Sequence, residues 1–261
     1  MIPAIGTWGL VFLVALIGAT AIIVAVDHKL PRQLIIAFAR MALQLLILAA
    51  ILGWLLDRSD PITTGLALVA IALLGGLETA YRVDSLYELP VILRSVAILL
   101  AAGAVVALPS VLIVVSPEPW HDVRLVVPIF GMAVGSSIAG TALAVTTLHR
   151  MLQDGRTAIE AQLALGRRFT DATRHIARQA ITAGMLPVVT ATAATGMVTI
   201  PGMMSGQIIA GAAPAEAIRY QFLIMTLIAA VTAVSIRANI ALELRRWTDH
   251  RARFRARRRP Q

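Results

Sequence analysis

The chain has no cysteine, a single lysine (Lys29), and aromatic side chains at only 5% of its 261 positions. Without cysteine there are no disulfides and no thiolate metal sites. The P-loop of an ATPase needs a glycine-rich loop that ends in Gly-Lys. Lys29 follows His28, with no such loop before it, so this chain cannot hydrolyse ATP through that motif. Charge is scarce too, at 14% of residues, where a soluble chain carries about 25%. Almost no ionisable group falls deep within the apolar stretches, and Arg40, Glu78, Arg94 and Arg237 mark their ends. Proton-coupled transporters use buried acids or histidines as relays, so their shortage disfavours that mode of transport. Gly202-Met-Met-Ser205-Gly206 lacks the spacing of a serine nucleophile turn, and no span holds a histidine to act as base. No catalytic residue and no metal-ligand set is expected.

What the chain has in abundance is apolar residues, 58% of the total, with a mean hydropathy of +0.81. Seven apolar stretches can be read, at 7–26, 41–56, 62–77, 95–115, 126–148, 180–200 and 222–236. A helical span needs about 20 residues, so the second, third and seventh must borrow from their flanks. The expected fold is all-α: one polytopic domain over 1–261 with seven transmembrane helices. In the first stretch the positive charge follows the apolar run, which reads as a retained span rather than a cleavable signal.

The bases are distributed unevenly. Segments on one side hold Lys29, Arg32 and Arg40; Arg82 and Arg94; Arg150, Arg156, Arg167, Arg168, Arg174 and Arg178; and nine arginines from Arg237 onward. The other side holds Arg58, Arg124 and Arg219. The positive-inside rule then places the N-terminus outside, and the 149–179 loop and the 237–261 tail in the cytoplasm. A juxtamembrane arginine cluster of this kind meets anionic lipid headgroups, so the net charge of +9 is not read as a nucleic-acid signal. Gly131-x-x-x-Gly135, with Gly140 beyond it, supplies small residues for close helix packing.

The loop after the fifth span is amphipathic. Leu165, Phe169, Ala172 and Ile176 share one helical face; Arg167, Asp171, Arg174 and Arg178 share the opposite one, where Asp171 can pair with Arg167 and Arg174. On periodicity alone this is a helix lying at the membrane surface. The pattern Glu160-Ala161-Gln162-x-x-x-Gly166 resembles the coupling loop of ABC-transporter permeases, with Gln162 in place of an alanine and the following proline delayed to Pro187. That resemblance implies a short cytoplasmic helix docked on an ATP-binding subunit, with Glu160, Ala161, Gly166, Arg167, Asp171 and Arg174 in the coupling segment.

Neutral polar groups enter the spans at Gln44 on the second and at Thr192, Thr195 and Thr199 on the sixth. These threonines fall at helical spacing, either bonded within the membrane or lining a path. The sixth span ends in a run whose proline and glycines break a regular helix, giving a tight outer turn or a broken helix in the path. That run holds Pro201, Gly202, Met203, Met204, Ser205 and Gly206, with Ala210-Gly211, Pro214 and Tyr220-Gln221 beyond it. It resembles the signature of the FetB-type ABC permease family, which includes bacterial iron-export permeases and plant proteins of aluminium tolerance. Arg40-x-x-x-Gln44-Leu45, Pro128-x-x-Gly131-Met132 and Leu163-x-Leu165-Gly166 agree with that resemblance.

The resemblance implies a permease subunit in the bacterial inner membrane, paired with a separate ATP-binding subunit and with a second copy of itself. ATP and magnesium would sit on that partner, with no cofactor in this chain. Gln44, Thr192, Thr195, Thr199 and residues 201–206 are the expected path or gate. Met203 and Met204 are soft donors unsuited to iron. A passive channel or a membrane scaffold is the alternative from a different class.

Overall fold

The computed structural model describes residues 6–23, 29–58, 60–83 and 89–247. Two compact units divide the chain at Arg58. The first holds two helices, α1 (Thr7–Ile23) and α2 (Lys29–Asp57). Both are apolar nearly all round, which is the composition of a helix surrounded by lipid. Arg58 closes α2 by stacking over the Trp54 ring at 5.2 Å, a cation–π contact.

The second unit is a helical bundle. Its elements are α3 (Pro61–Arg82), α4 (Leu89–Val115), α5 (Val123–Asp154), α6 (Arg156–Ala164), α7 (Phe169–Ala172), α8 (Arg174–Ala194), α9 (Gly202–Ile209) and α10 (Pro214–Arg246). Asp60 starts α3 by accepting from the backbone N–H groups of Ile62 and Thr63, at 2.9 Å each, with Pro61 at the first helical position. In α4, Pro109 can donate no backbone hydrogen bond. The helix widens into π-type turns on both sides of it, at Gly103–Ala107 and Val111–Val115. Ser116, with φ of 48°, ends it.

Among the described residues no strand forms beyond one isolated bridge, Thr195 to Thr199. The all-α multi-pass fold stands. The helices, however, run past the apolar stretches that announce them. Five are long and apolar enough to cross a membrane: Leu30–Asp57, Pro61–Arg82, Leu89–Val115, Val123–Asp154 and Pro214–Arg246. Thr7–Ile23 is a shorter apolar helix, and α8, the expected sixth span, is not among the five. Backbone hydrogen bonding continues a helix through polar residues once a nucleus exists, so hydropathy marks the middle of each element and misses its ends. Hence Arg40 and Arg94 lie within α2 and α4. The expected tail at 237–261 begins as three more turns of α10, and residues 248–261 lie outside the described ones.

One apolar core joins α3, α4, α5 and α10 through Leu99, Ala102, Val111, Ile129, Phe130, Val134, Leu227 and Val231. The closest backbone approach is not at Gly131 or Gly135. A Cβ on Gly140 would lie 2.7 Å from the Gly184 carbonyl oxygen, and one on Gly184 would lie 2.6 Å from that of Gly140. The α5–α8 crossing is therefore fixed by two glycines on different helices, a pairing that no local spacing motif reports.

Candidate functional site

The end of the bundle that carries α6 and α7 gathers most of the chemistry. The expected single amphipathic helix is broken there. Gly166 takes φ of 83°, a left-handed conformation that favours glycine, and closes α6. Its amide donates to the Leu163 carbonyl at 2.9 Å. A second short helix, α7, follows, and then α8 starts at Arg174. The break changes the register of the predicted faces. Phe169, Ala172 and Ile176 are buried as the periodicity requires, whereas Leu165 is 84% exposed. Among the described residues Asp171 forms no ion pair; Arg167 donates to Gln162 Oε1 at 3.1 Å instead. Glu160 is paired with Arg156 at 2.8 Å, one turn earlier on the same helix. Ala161, Gly166, Arg167, Asp171 and Arg174 are all exposed.

Beneath these exposed groups, Ile159 of α6 and Phe169 of α7 anchor the segment. They enter a core with Leu148 and Leu152 of α5, Ile176 of α8, Ile240 of α10, and Trp247 just past it. Each short helix thus presents a polar face outward and roots one large side chain in the bundle.

Next to Trp247 lies a cluster that the sequence did not reveal. Glu243 is 1% exposed. Arg94 of α4 pairs with its Oε1, His149 of α5 lies 2.9 Å from its Oε2, and Arg246 reaches Oε1 at 3.4 Å. The His149 and Trp247 rings meet at 5.6 Å between centroids. A carboxylate withdrawn from solvent needs such partners, and here they tie together the ends of α4, α5 and α10. Of these groups the sequence singles out Arg94 at the end of an apolar stretch and places Arg246 in a cytoplasmic tail from 237, with no role for Glu243 or His149. Glu243 falls beyond the seventh apolar stretch, and His149 just beyond the fifth. Only the packing of α10 against α4 and α5 buries Glu243 and leaves His149 half-buried beside it.

Of the two readings of the α8 threonines, bonding back to the chain's own carbonyls is the one the hydrogen bonds show. Helix α8 stops at Ala194; Thr195 is its C-cap, and Gly196, with φ of 88°, turns the chain so that its amide donates to the Thr199 carbonyl at 3.0 Å. Thr192 and Thr195 return their hydroxyls to the Val188 and Ala191 carbonyls, each at 2.8 Å, and Thr199 to that of Ala194 at 3.3 Å. After Pro201 the chain does not remain an open turn: Gly202–Ile209 is the short helix α9, carrying Met203, Met204, Ser205 and Gly206. It ends at Gly211, with φ of 96°. Gln44 belongs to the first unit, where it is exposed.

A different polar row lies inside the second unit. Thr232, Ser235, Asn239 and Glu243 share one face of α10, and all are buried. Thr141 of α5, next to Gly140, is buried as well, and the Thr232 methyl lies 3.1 Å from where a Gly140 Cβ would be. Asn239 donates to the Ser235 carbonyl at 2.9 Å. Among the described residues, the hydroxyls of Thr141, Thr232 and Ser235 have no hydrogen-bond partner. Three turns nearer the start of α10, on the same face, the buried Gln221 leaves its side-chain oxygen unpartnered too. Threonine, serine and asparagine at i, i+3 and i+7 are visible in the sequence. Their burial and the hydroxyls' lack of partners are not.

Comparison with known proteins assigns this arrangement to a family. Over 84% of both chains, the protein is 28% identical to a UPF0014 membrane protein of Synechocystis sp.. It is 26% identical to the "Probable iron export permease protein FetB" of Escherichia coli, over 87% of this chain and 88% of that one. It is 24% identical to the protein ALUMINUM SENSITIVE 3 of Arabidopsis thaliana, over 87% and 85%. No solved structure matches the chain. Residues 7–247 match the description "Uncharacterised protein family (UPF0014)", and the chain, a multi-pass membrane protein, is a member of that family.

Proposed function

We propose that this protein is the permease subunit of an ABC transporter, exporting iron or a metal-related solute, with ATP and magnesium held by a separate subunit. The observation that carries the reading is the geometry of α6. It is a nine-residue helix outside the bundle, with Glu160 and Ala161 exposed, Ile159 rooted beneath it, and a left-handed glycine at its end. A partner that seats this helix can push on it, and Ile159 and Phe169 carry the displacement into the core around Trp247. The side assignment has its own support. Arg82, Arg94, Arg150, Arg156, Arg167, Arg168, Arg174, Arg178, Arg245 and Arg246 fall at the α6 end of the second unit, and Arg124 and Arg219 at the other. That bias favours a cytoplasmic α6, where an ATP-binding subunit can reach it. The cargo and the outward direction come from the name of the Escherichia coli relative. A second permease copy completes the transporter in this reading, and the bacterial inner membrane is its place.

The test is co-purification with an ATP-binding subunit encoded beside this gene. Charge reversal at two exposed positions, Glu160→Arg with Arg167→Glu, is expected to cut recovery of the partner at least fivefold and to abolish stimulation of its ATPase. Unchanged recovery and unchanged stimulation in that variant would remove α6 as the coupling helix.

A further inference from the structure

Many hydroxyl groups on the helices of this protein share a habit. Thr20, Thr79, Ser110, Thr146, Thr192, Thr195 and Thr226 each return the hydroxyl to the carbonyl four residues earlier, at 2.7–2.9 Å. This bond satisfies the group within its own helix, which matters where lipid offers no partner. Thr141, Thr232 and Ser235 break the habit. All three are at most 1% exposed, Thr141 on α5 and Thr232 and Ser235 on α10, two helices that pack against each other. A buried hydroxyl without a partner is destabilising, and in a helix the remedy is a rotation about one bond. The Thr232 methyl is turned toward Gly140, at the tight α5–α8 crossing, and so its hydroxyl is withheld from its own backbone.

The row has direction as well as polarity. Thr232, Ser235, Asn239 and Glu243 span three turns of α10, about 17 Å along the axis at 1.5 Å per residue. That is roughly half of the ~30 Å apolar thickness of a bilayer. The row runs from the glycine crossing to the cluster of Glu243 with Arg94 and His149. Interior polar groups that hold helices together bond across the interface; these hydroxyls bond to none of the described residues in this packing.

We propose that the α5–α10 seam, lined by Thr141, Thr232, Ser235 and Asn239 and closed at one end by Glu243 with its basic partners, is the internal route for a small hydrated solute. Hydroxyl and amide groups take such a cargo by replacing water contacts one at a time. They offer nothing to a lipid or an apolar molecule. The packed seam is the closed form, in which the free hydroxyls are held apart from water; separation of α8 from α5 at Gly140 and Gly184 wets them. The proposal rests on the transport reading above and locates its path away from residues 192–206.

The absence of cysteine makes the test direct, because a single introduced thiol is the only one in the protein. Thr232→Cys and Ser235→Cys are compared with Leu227→Cys, which sits in the apolar core of the same helix. Native membrane vesicles are treated with a small hydrophilic methanethiosulfonate reagent, with and without ATP and vanadate. Labelling of the two row variants is expected to be at least tenfold faster than that of Leu227→Cys. If nucleotide changes those rates, route and ATP drive both stand. If the row labels equally in both conditions, the route stands and the ATP-driven reading fails. Rates no faster than Leu227→Cys in either condition would overturn the route. A second measurement covers misfolding of the cysteine variants. Thr232→Val and Ser235→Ala should keep or raise the Tm in detergent while lowering solute export at least threefold. A fall in Tm for both would mean that the hydroxyls hold the bundle together, which is the opposite of the proposal.

Discussion

Two polar regions of this protein treat the same chemical group in opposite ways. On α8, around Thr192 and Thr195, the helix surface is open and the hydroxyls are satisfied by their own backbone. On the α5–α10 seam, Thr141, Thr232 and Ser235 are closed in and unsatisfied. A side chain facing lipid must supply its own partner, since hydrocarbon offers none. A side chain that will meet water or cargo can leave the bond open. Spacing alone ranks the threonines of α8 as the polar stripe; satisfaction of hydrogen bonds ranks the seam above them.

The comparison can be broken most forcefully at the end of the seam. Removing one partner of a buried ion pair costs about 3–5 kcal/mol, because the other charge is left stranded. Glu243→Ala, which strands Arg94 and His149, is expected to lower the Tm and the yield of folded protein more than any other single change considered. A wild-type Tm in that variant would mean that the cluster does not hold α4, α5 and α10 together. Next come two glycines of contrasting surroundings. Gly140→Ala puts a methyl group against the Gly184 carbonyl, and such overpacking costs about 1–3 kcal/mol. A Cβ added at Gly202 meets nothing within 4 Å, so for Gly202→Leu insertion and Tm should stay unchanged while export is lost if α9 gates the path. Normal export by Gly202→Leu would return residues 201–206 to the role of a connection between helices and sharpen the case for the seam.

The smallest effect is expected at the α3 cap. Backbone and side-chain hydrogen bonds from Thr63 hold the Asp60 carboxyl below the ordinary aspartate range. A lowered folded-state value stabilises above the unfolded-state value, and the benefit disappears as pH falls through the folded one. Asp60→Asn should therefore lower the Tm slightly at neutral pH, with the two melting curves converging below the ordinary aspartate range. A constant difference at acid pH would assign the effect to packing rather than to charge.

The coupling segment shows how far local pattern reaches. The burial of Phe169, Ala172 and Ile176 follows from their 3.6-residue period. The exposure of Leu165 does not, because a left-handed Gly166 resets the register immediately after it. The glycine was visible as a turn former, but the conformation it adopts is set by how α6 and α7 each anchor on the core. Glu243 makes the same point in the opposite direction. It follows the last apolar stretch and carries no pattern that singles it out; the length of α10 carries it back against Arg94 and His149.

By itself the sequence determined the solvent of this protein, its helical class, the asymmetry of its positive charge and its lack of a P-loop. These depend on composition and one-dimensional order, which folding does not alter. Only the tertiary structure decided which glycines touch, which carboxylate is buried and which hydroxyls lack partners. Those properties belong to pairs of residues on different helices, and packing rather than spacing brings such pairs together.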